Sequence, residues 1–116
     1  MIKLFFPTID NSEIISTIKT LKSGFWASGA GVGNVKKFEN KFKKYTNASE
    51  CVAVDSGTAA LDLALKVLDI NKKEVLVPSL TFVSSINAIK YNGGIPIFVD
   101  VKPDTLCMDP KDLENK

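Results

Sequence analysis

Between Cys51 and Val101 three short apolar runs alternate with two stretches of helical spacing. The runs are CVAV (Cys51–Val54), EVLVP (Glu74–Pro78) and IPIFVDV (Ile95–Val101). SGTAALDLALKVL joins the first to the second, with Ala60, Leu61, Ala64, Leu65 and Leu68 on one helical face. TFVSSINAIKYN joins the second to the third and is ended by Gly93 and Gly94. Strand, helix, strand, helix, strand with short links predicts an α/β layer of parallel strands with flanking helices and right-handed crossovers. The runs are nearly continuous rather than alternating, which predicts strands covered on both faces.

Upstream, two helices are expected. Ile14, Ile15, Ile18 and Leu21 recur at helical spacing over Ser12–Leu21, Asp10 with Glu13 can form a capping box, and Gly24 suits the C-terminal end. A second helix is expected from about Val35 to Tyr45. Val35, Phe38, Phe42 and Tyr45 line one face, with Lys36, Lys37, Glu39, Lys43 and Lys44 largely off it. At the other end Asp109 reads as an N-cap and Pro110 as a first helical residue, with Asp112 and Glu114 favouring a helix N-terminus. A helix of two turns or less is not stable alone, so the chain is expected to be the front of a larger α/β protein. Residues 1–48 are then an N-terminal helical segment and 49–116 the start of a truncated large domain.

Composition removes several classes of function. The net charge is +2 with the charges interleaved, so nucleic acid is not expected as a partner. The longest apolar runs are too short to cross a bilayer and the N-terminus has no signal-peptide core, so no membrane partner and a cytoplasmic location are expected. There is no His, which excludes Ser-His and Cys-His catalysis, and no metal site is expected. Cys51 and Cys107 are too few for a disulfide framework. Cys51 reads as a small buried hydrophobe in a strand, and Cys107 likewise in a loop.

Two stretches compete as a phosphate site. WASGAGVGN (Trp26–Asn34) is rich in glycine, but Gly29, Gly31 and Gly33 give G-x-G-x-G, and no strand precedes them. A dinucleotide loop needs G-x-G-x-x-G between strand and helix, so this stretch reads as a connection with unusual backbone angles. VDSGTAAL at 54–61 has one glycine but the right context: a strand expected to run straight into a helix. The first N–H groups of a helix lack partners and carry positive potential. Gly57 lets an anion approach the backbone, and the hydroxyls of Ser56 and Thr58 add donors or serve as plain N-caps. Phe82 opens the next helix, where an aromatic ring can stack on a flat ligand or simply join the core.

SGTAALDLALKVLDI, EVLVPSLTFVSSINAI and GGIPIFVDVKPDTLCMDP follow one another in the order and spacing of the DegT/DnrJ/StrS family. SGFWASGAGVGNVKKFENKFKKY also resembles that family's W-x-[ST]-G element and the V-x-x-FE after it, although GAGV has a Gly where Pro is more usual. The chain resembles the N-terminal portion of these pyridoxal-phosphate (PLP)-dependent sugar aminotransferases, which have the aspartate aminotransferase fold (fold type I).

The resemblance implies that Ser56, Gly57 and Thr58 bind the cofactor phosphate and that Phe82 stacks on its ring. It places Trp26, Ser28 and Gly29 near the substrate or the dimer interface. It implies homodimers that move an amino group from glutamate or glutamine to a keto nucleotide-sugar. The family's Schiff-base lysine and the acid that pairs with the pyridine nitrogen lie beyond Lys116, and none of Lys66, Lys72, Lys73 or Lys90 stands in that lysine's context. No catalytic residue is therefore assigned, and the 116 residues alone are expected to be inactive. The alternatives are a PLP-dependent sugar dehydratase of the same family and a non-catalytic α/β module that binds a phosphate-bearing ligand.

Overall fold

The computed structural model describes residues 5–26 and 33–116. Its elements are α1 (Asn11–Ser23), α2 (Asn34–Thr46), α3 (Gly57–Val67), β1 (Glu74–Pro78), α4 (Val83–Tyr91), β2 (Ile95–Val99) and α5 (Pro110–Leu113). Two compact units divide between Ala53 and Val54.

In the first unit the expected caps form. Asp10 accepts a hydrogen bond from Ser12 N at 2.6 Å, and Glu13 accepts one from Asp10 N at 2.8 Å, so two orphan donors of α1 are satisfied reciprocally. Gly24 ends the helix at φ 71°, a left-handed angle that costs glycine least. α2 starts after Gly33 (φ 84°) without a side-chain cap and ends at Asn47 in the left-handed region. Phe38 and Phe42 stack one turn apart with ring centroids 5.7 Å apart. Glu39 turns back to accept from Ala53 N at 3.0 Å.

The Asp10 cap has a consequence in acid. The hydrogen bonds it accepts from Ser12 hold its carboxyl below the usual carboxylate range. A depressed folded-state pKa gives stability that is present above the unfolded value, 3.8, and is lost as pH falls through the lower folded value. Acid titration of the far-ultraviolet helical signal is therefore expected to show a step below pH 3.8, and Asp10→Ala removes it. An unchanged titration in that variant would count against the cap.

In the second unit β1 and β2 pair in parallel, from Glu74 opposite Ile95 to Pro78 opposite Val99, with α4 as the connection. Ile70, Val77 and Ile89 form the buried core, and Leu65, Val75 and Ile86 pack against them. Ala88 and Val99 are fully buried. The turn into β2 follows from Gly93 and Gly94. Gly93 (φ 73°) donates to Lys90 O and Gly94 to Ile89 O, which satisfies two orphan carbonyls at the end of α4. At the far end Asp109 caps α5, and Asp112 accepts from Asp100 N at 2.8 Å, tying the short helix to the residue after β2.

Three expectations are corrected. Cys51–Val54 is not a strand: a strand exists only by pairing, and among the described residues no neighbour hydrogen-bonds to it as a ladder. The strands are not covered on both faces, since Leu76 and Phe98 remain 45% and 48% exposed. Among the described residues only two strands share the helices, and α3 packs on α4 while α4 packs on both strands. The cysteines are both free, Cys51 half-buried outside any strand and Cys107 exposed.

Candidate functional site

α3 precedes β1 and α4 follows it, each joined to the strand by a short link. Their N-termini are where a parallel α/β layer presents unpaired backbone donors. At α3 the chain arrives extended at Ser56 (φ −156°, ψ 159°) and turns into the helix at Gly57. Ser56 Oγ accepts from Ala59 N at 3.2 Å and lies 3.3 Å from Asp55 Oδ1, to which it donates. Its backbone carbonyl takes Ala60 N at 3.1 Å. Ser56 is therefore engaged in holding the helix end. The donors left facing outward are Gly57 N–H, Thr58 N–H and the Thr58 hydroxyl, which find no acceptor among the described residues.

Gly57 is informative because the fold does not require it. Its φ is not left-handed, and a Cβ built on it would have no atom within 4 Å. Neither backbone strain nor packing explains a glycine there. Gly57 is exposed at the first position of α3, and the space a Cβ would enter there is open.

Phe82 is the residue before α4, with an extended backbone and its carbonyl accepting from Ser85 N at 3.0 Å. It is 76% exposed, so it does not serve the core of this unit. α4 has no side-chain cap, and Thr81 donates to Ser85 Oγ at 3.2 Å. An open hollow of about 840 Å³ runs along α3, lined by Ser56 and Thr58 at one end and by Asp62, Asp69, Asn71 and Asn92 further on. Phe82 is not part of its lining, so this hollow does not unite the ring with the α3 donors.

Of the residues singled out upstream, Trp26 is 71% exposed and its indole Nε1 donates to Leu21 O at 3.1 Å, just beyond α1. Ser28 and Gly29 lie outside the described residues. No local pattern in the sequence points to Asn92. It stands at the end of α4 and donates from Nδ2 to Asp62, 30 positions earlier on α3.

The profile of the DegT/DnrJ/EryC1/StrS aminotransferase family matches residues 7–116. GDP-perosamine synthase of Escherichia coli O157:H7 is 46% identical over 116 residues, covering 99% of this chain and 31% of that protein. A Streptococcus pneumoniae protein assigned as a sugar aminotransferase, solved in its PLP form, is 36% identical with a TM-score of 0.81. The match covers 94% of this chain and 27% of that one. The E. coli GDP-4-keto-6-deoxy-D-mannose-3-dehydratase, solved with bound hydrated PLP, is 27% identical with a TM-score of 0.81, over 97% of this chain and 30% of its own. The chain thus spans about three tenths of the length of the relatives it matches.

Proposed function

We propose, since the chain belongs to the DegT/DnrJ/EryC1/StrS aminotransferase family, that it forms the phosphate-holding front of a PLP-dependent sugar aminotransferase. PLP is the cofactor of the family, and relatives are solved with it. The observation that carries the reading is Gly57: two outward N–H groups, a free hydroxyl and an open space that only glycine leaves. Gly57 and Thr58 N–H bind the phosphate, with the helix dipole adding to the attraction. The Thr58 hydroxyl donates a third hydrogen bond, and Ser56 holds those donors in place. Phe82 covers one face of the ring and keeps water from it. When bound, PLP supplies the electron sink that amino-group transfer requires.

The substrate proposed is a keto nucleotide-sugar and the amino donor glutamate or glutamine. Trp26, with Ser28 and Gly29, is proposed to border the substrate or a homodimer interface, and residues 49–116 to open the cofactor-binding domain. No helix among the described residues is long and apolar enough to cross a membrane, and a cytoplasmic location is proposed. The likeness to the E. coli dehydratase supports a second reading in which the same cradle serves dehydration. The 46% identity to a perosamine synthase favours amino transfer.

Binding tests the cradle directly. The chain is expected to bind PLP at least tenfold more tightly than pyridoxal, which lacks the phosphate. Preference for a nicotinamide dinucleotide over PLP would favour a non-catalytic binding module instead. A separate expectation concerns the covalent lysine, which in the family lies beyond the stretch matched here. Incubation with PLP and borohydride is expected to leave no lysine stoichiometrically labelled, with no amino transfer. A single fully labelled lysine, read by mass spectrometry, would overturn this.

A further inference from the structure

The candidate site has two halves on two elements: the phosphate donors at the start of α3 and Phe82 at the start of α4. A ligand that uses both requires the helices to hold one register. Leu65 of α3 and Ile86 of α4 both pack against the Ile70–Val77–Ile89 core. Apolar contacts are non-directional and tolerate small slides.

One polar tie crosses between them among the described residues. Asn92 Nδ2 donates to Asp62 Oδ1 at 2.8 Å and to Ala88 O at 2.9 Å, with Asp62 O at 3.3 Å. An amide nitrogen has two protons, so the two short bonds use both, and the third is a shared, weaker contact. Every neighbour is an acceptor, so the nitrogen rather than the oxygen must face them. Asn92 and Asp62 are both half-buried, where a hydrogen bond is stronger than in water and an unmade one is costly. The Asn92 backbone N–H meanwhile closes the last turn of α4 on Ala88 O at 3.3 Å. One residue thus fastens the end of α4 to the middle of α3.

We propose that Asn92 is a positioning residue: by tying α4 to Asp62 of α3, it sets where Phe82 stands relative to the donors of Gly57 and Thr58. The inference rests on the reading of those residues as the PLP cradle. Small misplacement of binding groups costs affinity only for ligands that engage both halves.

The test measures the chain's affinity for PLP and for inorganic phosphate, which needs the α3 half alone. Asn92→Ala is expected to weaken PLP about tenfold and to change phosphate affinity less than twofold. If Asn92→Ala unfolds the chain, Asp62→Ala removes only the 2.8 Å bond and leaves Nδ2 with carbonyl acceptors. A selective loss about half as large on a logarithmic scale is expected there. Equal loss for both ligands, or no loss for either, overturns the positioning role and leaves the cradle reading standing. A wild-type chain that binds PLP no better than phosphate overturns the ring contact at Phe82 and this inference with it.

Discussion

Gly57→Asp is expected to weaken PLP binding by about a hundredfold while leaving the unfolding midpoint unchanged or slightly higher. The loss follows from charge and space together. A side chain at 57 enters open space beside the start of α3: outside its chain neighbours and its own helix backbone, no atom lies within 4 Å of a Cβ built there. The carboxylate then opposes a phosphate dianion. Like charges about 4 Å apart repel by roughly 1 kcal/mol in bulk water and roughly 4 kcal/mol near a protein surface. About 2.7 kcal/mol corresponds to a hundredfold in affinity. Stability moves the other way because Gly57 is the first residue of α3, where an acidic side chain complements the dipole and any residue restricts the unfolded chain more than glycine. Calorimetric titration with PLP and thermal unfolding of the same samples read the two effects. Retained affinity in a folded variant would place the phosphate elsewhere.

Gly94→Val is expected to do the reverse, destabilising the second unit by about 3 kcal/mol or more through overpacking of a filled site. A Cβ at Gly94 would stand 2.8 Å from Ile70 Cδ1, 3.0 Å from Ile89 Cγ2 and 3.2 Å from Ile89 O. The first two are side chains of the buried core, and the third is the carbonyl that accepts from Gly94 N at 2.9 Å. A side-chain tip can give way, but that carbonyl cannot withdraw without opening the end of α4. Small domains hold only a few kcal/mol in reserve, so the variant is expected to populate unfolded chain at room temperature. Urea unfolding followed by circular dichroism would show it, and a midpoint equal to wild type would contradict the packing described. The two glycines stand in opposite surroundings: a Cβ at Gly94 would meet the protein's own core, and one at Gly57 would meet open space.

Much of this was legible in the chain because it is local. The Asp10–Glu13 capping box, the left-handed Gly24, the Ser56 cap and the Asp109–Pro110 start each involve residues within a few positions of one another. Their hydrogen bonds form wherever the backbone turns. The run EVLVP became β1 with the bounds its pattern predicted. The family resemblance was likewise readable, carried by motifs in order.

What reached beyond one turn was not legible. CVAV has the composition of a strand, yet composition supplies no partner, and among the described residues none pairs with it. The pattern of Leu76 and Phe98 predicted burial on both faces, which depends on layers their own segment does not contain. Asn92 and Asp62 are 30 residues apart, and nothing in either neighbourhood announces the other. The sequence by itself determined the helices, their caps, the β1–α4–β2 order and the candidate phosphate turn, because short-range hydrogen bonds and hydrophobic period act within a segment. Only the tertiary structure decided which strands pair, which glycine faces open space, and which polar group ties α3 to α4. Those depend on atoms brought together from distant parts of the chain.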